Sequence, residues 1–160
     1  MNNMLDTGDS FPAMSLTLTD GQQVSLPAAM EPGSYQVVLF FRGKFWPYCI
    51  RQLGGFGENF SELQKLNTQI IAASTDTLDN STAIAADLPF PVAYDAAKDH
   101  GDKMGSRWEE RRGLIQPSDF ILNHEGKVLS ATYSSAAVGR LEGGDAVKFI
   151  TFQEKLRLEA

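Results

Sequence analysis

Two kinds of hydrophobic pattern appear in the first quarter of the chain. Apolar and polar residues alternate over 15–19 and again over 23–26, with the turn pair Asp20-Gly21 between them. This alternation predicts a β-hairpin. The segment 35–41 is instead apolar almost throughout, which is the pattern of a central strand covered on both faces.

From Pro47 onward the apolar residues recur at steps of three and four positions, which predicts the buried face of a helix. That face comprises Cys49, Leu53, Phe56, Phe60, Leu63 and Leu66. Pro47 suits the first helical position, because its missing N–H would have no helical partner there. Gly54, Gly55 and Gly57 each cost a helix about 1 kcal/mol relative to alanine. We therefore expect a kink or a break near these glycines.

The rest of the chain alternates between strand and helix patterns. We predict strands at 69–73 and 92–94, helices at 79–87 and about 96–104, a hairpin with strands at 120–122 and 128–132, and a closing helix over 145–158. In that closing helix Val147, Ile150 and Leu156 are expected to face inward. Strands that alternate with helices indicate a parallel sheet, which the last hairpin makes mixed. The fold class is therefore α/β, and residues 1–160 form a single domain.

Composition removes several classes of function. The 160 residues carry 20 acidic and 14 basic side chains, a net charge of −6. Because nucleic-acid binding depends on clustered basic charge, we expect no nucleic-acid partner. The longest apolar run, 37–41, is far shorter than the roughly 20 residues that span a bilayer, and the N-terminus lacks the pattern of a secretory signal. We expect no membrane association and a cytoplasmic location.

Cys49 is the only cysteine of the chain. It excludes an internal disulfide and metal sites built from several cysteines, and we predict no metal and no cofactor. A cysteine in the first turn of a helix lies where backbone N–H groups favour a thiolate. Free cysteine is also among the residue types most often buried, and Cys49 begins the apolar helix face. From the residues alone, both a reactive and a structural thiol remain open.

The segment from Phe41 to Cys49 reads Phe-Arg-Gly-Lys-Phe-Trp-Pro-Tyr-Cys. It resembles the Arg-Gly-x-Trp-Cys-Pro-Tyr-Cys signature of peroxiredoxin-like proteins in the alkyl hydroperoxide reductase and thiol-specific antioxidant (AhpC/TSA) family. The opening segment from Gly8 to Leu26 and the closing segment from Pro117 to Leu141 also resemble that family. The resemblance implies a thioredoxin-like three-layer α/β/α sandwich with a mixed central sheet and an N-terminal β-hairpin.

The departures from the signature affect the expected chemistry. Trp46 stands where the family has its first cysteine, so only the second cysteine remains, as Cys49. The proline and threonine of peroxiredoxins proper align with Leu39 and Gly43, and their later arginine aligns near Pro117. The usual nucleophile and its supporting groups are therefore missing. By this resemblance Cys49 occupies the inward, less accessible position of a thioredoxin-type site.

Several residues around Cys49 are candidates for a site. Arg42 could stabilise a thiolate or hold an anionic substrate, or it could form an ion pair with a carboxylate. A substrate pocket could be lined by Trp46, Pro47, Tyr48 and Pro117, or the aromatic rings could simply cover the helix end. The Gln116–Pro117 bond is expected to be cis, because thioredoxin-like folds have a cis-proline before the strand facing the active-site helix. The mixed charges over 107–112 are interpreted as a solvated face.

Two hypotheses for function follow. The first is a peroxiredoxin-like redox protein that acts through Cys49, with Arg42 nearby, and is reduced by a small thiol such as glutathione or by a thioredoxin-type protein. The second is a redoxin domain that has lost catalysis and serves as a binding or interaction module. Related folds also form homodimers, so a second copy of the chain is a further expected partner. Accessibility of the Cys49 sulfur separates the two hypotheses.

Overall fold

The computed structural model describes residues 3–160. Nine strands and five helices alternate along this part of the chain. The strands are β1 Met14–Leu18, β2 Gln23–Leu26, β3 Tyr35–Phe40, β4 Thr68–Ala73, β5 Val92–Tyr94, β6 Trp108–Glu109, β7 Leu114–Ile115, β8 Ser118–Leu122 and β9 Val128–Tyr133. The helices are α1 Pro47–Glu58, α2 Phe60–Lys65, α3 Leu78–Ala85, α4 Lys98–Met104 and α5 Gly143–Glu159.

Seven of the strands form one mixed sheet in the order β2-β1-β5-β4-β3-β8-β9. Strands β3, β4 and β5 are parallel, and β8 joins β3 in the antiparallel direction. The N-terminal hairpin extends the sheet through an antiparallel pairing of β1 with β5. The predicted fold class, hairpin and mixed sheet are therefore confirmed. Strands β6 and β7 form a separate small hairpin that the sequence did not predict.

The sheet separates two apolar clusters, and the side chains of β3 alternate between them. Val37 and Leu39 face the cluster that includes α1, α2, α3 and α5, whereas Val38 and Phe40 face the cluster with Phe11 and the α4 residue Met104. All six residues of β3 are buried, as expected for a central strand. The strand delivers the following segment, Phe41 to Trp46, to the N-terminus of α1.

The glycines of α1 lie inside the helix, and the expected break near them occurs at Asn59, two residues beyond Gly57. The helix continues through Gly54, Gly55 and Gly57, and is interrupted only at Asn59. The close approach of α5 gives one physical reason for a small residue at this crossing. A Cβ atom added to Gly143 would lie 2.6 Å from the carbonyl oxygen of Gly55.

The prediction for the second half of α5 was wrong. Ile150 is buried, but Leu156 is 46% exposed. The last turns of α5 make polar rather than apolar contacts. Tyr35 Oη donates a hydrogen bond to Glu154 Oε2 at 2.6 Å, and Arg157 lies close against Gly33. Leu156 therefore has no apolar layer to enter.

Candidate functional site

Cys49 lies in the first turn of α1 and is 0% exposed. Its side chain packs in the cluster with Leu39, Phe41 and Leu53. The backbone N–H of Arg42 donates a hydrogen bond to Cys49 Sγ at 3.2 Å. The sulfur is therefore sealed beneath the loop that leads into the helix, and a solvent molecule cannot contact it in this conformation.

Trp46 is the N-cap residue of α1 and is partly buried, and Pro47 occupies the first helical position as predicted. Two guanidinium groups lie against the indole ring. Arg42 Cζ is 3.9 Å from the ring centroid, and Arg112 Cζ is 4.9 Å from it. Stacking of this kind is a favourable cation–π contact. The N-terminus of α1 therefore carries an indole that is flanked by two cations.

Arg42 is only 8% exposed. Within the described residues 3–160, its guanidinium forms no ion pair and donates no hydrogen bond, and Nε is buried without a partner. The alternative in which Arg42 pairs with a carboxylate is therefore wrong. Arg42 is left as a buried cation whose main neighbour is the Trp46 ring.

The loop between Arg42 and α1 is held by Asp76. The N–H of Lys44 donates to Asp76 Oδ2 at 2.9 Å, and Asp76 Oδ1 accepts hydrogen bonds from Thr77 N–H and Asn80 Nδ2. Partial burial raises the pKa of Asp76, but these hydrogen bonds outweigh it and hold the pKa below its usual value. Gly43 approaches this carboxylate closely with φ of 146°, and an added Cβ would lie 2.9 Å from Asp76 Oδ2.

Arg112 is a member of the site that the sequence did not indicate. Its Nη1 donates to Glu109 Oε1 at 3.2 Å, and its backbone N–H donates to the other oxygen of Glu109 at 2.5 Å. The mixed charges of this segment predicted only a solvated face. The hairpin of β6 and β7 instead carries Arg112 to the Trp46 ring. This contact depends on tertiary structure, and no local sequence signal indicates it.

Tyr48 lies on the exposed side of α1, where Arg51 Cζ is 5.3 Å from its ring centroid. A cavity of about 600 Å³ opens beside it, between α1 and the loop before α5, and is lined in part by Gln52 and Arg140. Neither Arg42 nor Trp46 lines this cavity. Tyr48 and Trp46 therefore face different parts of the surface and do not wall one pocket.

The expected cis bond before Pro117 was wrong. Within residues 3–160 the one cis peptide bond joins Leu26 and Pro27, so Gln116–Pro117 is trans. The residues on both sides of this trans bond form backbone hydrogen bonds. Gln116 N–H donates to Arg107 O at 2.8 Å, and Pro117 O accepts from Ser134 N–H at 2.9 Å. Pro117 precedes Ser118, the partner of Phe40 in β3, and so lies at the sheet end from which Arg42 emerges.

A buried polar cluster lies behind α1. Asp119 is 1% exposed, and its Oδ2 accepts hydrogen bonds from Gln52 Nε2 at 3.0 Å and from Leu141 N–H at 3.1 Å. Arg140 Nη1 donates to Gln52 Oε1 at 3.1 Å. Burial raises the pKa of Asp119 to about 7, although these donors and the charge of Arg140 oppose the rise. The sequence analysis did not single out Asp119, which lies beside Ser118 at the polar start of β8.

Comparison with known proteins identifies the family of this chain. The family model described as the AhpC/TSA family matches residues 7–131. The chain belongs to the AhpC/TSA family. Peroxiredoxin 2 of Sulfurisphaera tokodaii is 26% identical over 141 residues, which are 83% of this chain and 66% of that protein. A peroxiredoxin of Hyperthermus butylicus is 23% identical over 141 residues, 83% of this chain and 60% of that protein. The chain thus spans slightly under two thirds of these relatives.

Solved structures of AhpC share the fold. Enterococcus faecalis AhpC superposes with a TM-score of 0.81 at 19% identity, covering 96% of this chain and 95% of that one. Mycobacterium tuberculosis AhpC gives a TM-score of 0.81 at 20% identity, covering 98% and 97%. At this level of identity the likeness establishes the thioredoxin-type fold alone.

No group of three or more His, Cys, Asp or Glu side chains within 3–160 is arranged to hold a metal ion. No helix in the same residues has the length and apolar character needed to cross a bilayer. The candidate site therefore consists of Arg42, Trp46, Cys49 and Arg112, with no metal-ligand set among the described residues.

Proposed function

We propose that this chain is a peroxiredoxin-family domain that has exchanged peroxide reduction for ligand binding at the position of the family's active site. One observation carries the proposal. Trp46, which the resemblance to the family signature aligns with its first cysteine, is the N-cap residue of α1, and Cys49 in the first turn of that helix is fully buried. This proposal is the second of the two hypotheses drawn from the sequence.

The chemistry of peroxide reduction explains why this arrangement argues against catalysis. A thiolate must attack one peroxide oxygen as the O–O bond breaks, and the departing oxygen takes up a proton. The attacking sulfur therefore needs open access and donors around the departing oxygen. Trp46 offers no nucleophile, and the Cys49 sulfur has no solvent contact. The first step of a standard peroxidase cycle, attack by an accessible thiolate, therefore has no nucleophile at this site.

A peroxide-consumption assay tests the proposal. Wild-type protein, supplied with hydrogen peroxide and either dithiothreitol or a thioredoxin system, is expected to consume peroxide no faster than the Cys49→Ser variant. Consumption by the wild-type protein clearly above that of Cys49→Ser would overturn the proposal.

The Trp46→Cys variant supplies a positive control, because it restores the cysteine spacing of the family signature. We expect it to form a disulfide with Cys49 on mild oxidation, since paired cysteines three residues apart at a helix N-terminus are typical of redox-active sites. Trp46→Phe is its matched control, because it retains an aromatic ring and adds no thiol. Absence of a disulfide in Trp46→Cys would indicate that the position is not equivalent to the attacking cysteine.

A second candidate function is thiol redox chemistry through Cys49 itself. The hydrogen bond from Arg42 N–H to Cys49 Sγ favours it, because such a donor stabilises negative charge on sulfur. The Cys49 thiolate would reduce a peroxide to an alcohol or water and become a sulfenic acid. An external thiol would then form a mixed disulfide and release water, and a second thiol would regenerate Cys49. A small thiol or a thioredoxin-type protein would act as the reductant.

Trapping of the sulfenic acid distinguishes the second candidate from the first. Hydrogen peroxide is added to the native protein with dimedone, and the Cys49 peptide is analysed by mass spectrometry. Dimedone addition to native protein would support redox activity at Cys49. Addition only after unfolding would eliminate it.

A further inference from the structure

Arg42 is a cation without a counter-ion. Arginine is seldom as deeply buried as this unless it is paired, because a desolvated charge is costly. The chain places Arg42 at 8% exposure, and no carboxylate within the described residues lies at ion-pair distance from it. The Trp46 ring supplies a partial substitute through its π face, but it accepts no hydrogen bond from Nε.

The carboxylate that holds the loop after Arg42 and the carboxylate that pairs with Arg112 are both already occupied. Asp76 accepts three hydrogen bonds, including those from Lys44 N–H and Thr77 N–H. Glu109 is held by the backbone and the side chain of Arg112. Neither side chain is free to turn toward Arg42. Within residues 3–160, therefore, no carboxylate supplies a counter-charge to Arg42.

We propose that this site binds a small organic carboxylate, with Arg42 as its principal ligand. The inference rests on the proposed binding function and specifies the class of ligand. A carboxylate presents two oxygens in a plane, which matches the paired N–H donors of a guanidinium. Of the guanidinium nitrogens, only Nε is both sealed from solvent and unpaired, so the two terminal nitrogens are the reachable donors.

The surroundings of Arg42 favour a single negative charge on the ligand. Arg112, the second cation at the Trp46 ring, is already paired with Glu109, so one uncompensated positive charge remains. The N–H of Tyr48, in the first turn of the 12-residue helix α1, also has no partner within residues 3–160. It offers a further donor to an anion near the Trp46 side chain. A monocarboxylate satisfies this charge more closely than a dianionic phosphate does.

Stacking on Trp46 fixes the orientation of the Arg42 guanidinium. With Cζ 3.9 Å from the ring centroid, the guanidinium is held against the indole, and its rotation is restricted before a ligand arrives. A donor that is ordered in advance loses less entropy on binding. The indole that excludes peroxide chemistry therefore serves to position the arginine.

Tryptophan fluorescence measures binding directly. The chain contains two tryptophans, so the Trp108→Phe variant is used as the parent, which leaves Trp46 as the sole indole reporter. Sodium acetate is titrated into this parent, with sodium chloride at matched ionic strength as the control. We expect a saturable change in Trp46 emission with acetate and none with chloride. A non-saturable response, or the same response to chloride, would overturn the proposal.

Variants of arginine then test the assignment of the ligand. Arg42→Gln is expected to weaken acetate binding by about tenfold or more, because it removes a charge-assisted, two-point contact. Arg42→Lys, which keeps the charge but loses the planar fork, is expected to weaken binding by a smaller factor. Arg111→Gln, an exposed arginine in the same loop as Arg112, is the matched control and should bind as the parent does. Equal weakening by Arg111→Gln would contradict a specific role for Arg42.

Titration with inorganic phosphate tests whether the site prefers a carboxylate to another anion. Tighter binding of phosphate than of acetate would overturn the carboxylate assignment. Failure of this inference is distinguishable from failure of the proposed function. Peroxide consumption that depends on Cys49 would refute the latter whatever the titration shows, whereas absence of acetate binding in a protein without peroxidase activity refutes the carboxylate site alone.

Discussion

Arg42 contacts both residues of the altered signature: its side chain stacks on Trp46 at 3.9 Å, and its backbone N–H is hydrogen-bonded to the sulfur of Cys49. One residue thus contacts both the indole of Trp46 and the sulfur of Cys49. The stack covers the helix end, and the backbone contact seals the sulfur. Substitutions at this junction should therefore affect stability and thiol access together.

A double-mutant cycle should detect the stacking interaction. We expect a coupling energy of about 1 kcal/mol between Arg42→Gln and Trp46→Leu, because the pair is close and partly desolvated. The matched cycle uses Arg51→Gln and Tyr48→Leu, whose groups are 5.3 Å apart on an exposed helix face, and should give a smaller coupling. In each cycle, chemical denaturation of the wild type, the two single variants and the double variant measures the coupling energy. Equal coupling in the two cycles would contradict a special role for the Arg42 stack.

Gly43 should tolerate no side chain. Its φ of 146° is unfavourable for an L-residue, and an added Cβ would lie 2.9 Å from Asp76 Oδ2. We expect Gly43→Ala to reduce the free energy of unfolding by about 1–3 kcal/mol. Gly54→Ala is the control, because a Cβ there meets nothing within 4 Å and alanine favours a helix. Thermal denaturation should show Gly43→Ala melting lower than the wild type and Gly54→Ala melting no lower.

The crossing of α1 and α5 should be equally sensitive to one added methyl group. In Gly143→Ala the new Cβ would lie 2.6 Å from Gly55 O, a backbone atom that cannot move without displacing α1. We expect destabilisation of about 1–3 kcal/mol, typical of overpacking. Gly144→Ala has open space and should leave stability almost unchanged. Similar melting temperatures for the two variants would show that the helices separate more easily than this packing indicates.

Asp119 should make stability depend on pH near neutrality. Its pKa is about 7 in the folded chain and 3.8 for the ordinary group, so between these values the folded state holds a proton that the unfolded state has lost. Stability therefore falls as pH rises from about 4 to 7, by up to about 1.4 kcal/mol for each pH unit, and this contribution levels off above 7.

The Asp119→Asn variant isolates that contribution, because it does not titrate. Denaturation of both proteins at pH 5, 6, 7 and 8 should show the wild type losing stability relative to Asp119→Asn up to about pH 7. Asp76 and Glu154, whose folded pKa values are lowered, act with the opposite sign and only at acidic pH. A constant difference between the two proteins across this range would mean that Asp119 does not hold a proton in the folded chain.

Much of the fold could be predicted because periodicity is a local property. The apolar segment ending at Phe41 predicted the central strand, and the apolar helix face from Cys49 to Leu63 predicted the region of α1 and α2. The hairpin around Gly126 followed from a turn that needs a positive φ, and the structure has φ of 76° there. In each case, neighbouring residues carry enough information to specify the conformation.

What could not be predicted depends on contacts between distant segments. The hairpin of β6 and β7, which brings Arg112 to Trp46, is too short to leave a periodic signal. The trans bond at Pro117 and the exposed side of α5 around Leu156 likewise depend on what packs nearby. The unpaired state of Arg42 was also not foreseeable, because it depends on which side chains the fold brings to its guanidinium.

Labelling of Cys49 in the native protein tests the central claim most directly, since the chain has one cysteine and gives one signal. A thiol reagent such as dithionitrobenzoate is added near neutral pH to folded protein and to protein in denaturant. Because the sulfur is sealed, we expect native labelling to be slower than unfolded labelling by about 100-fold or more, limited by opening of the first turn of α1. Native labelling within a few-fold of the unfolded rate would contradict the account.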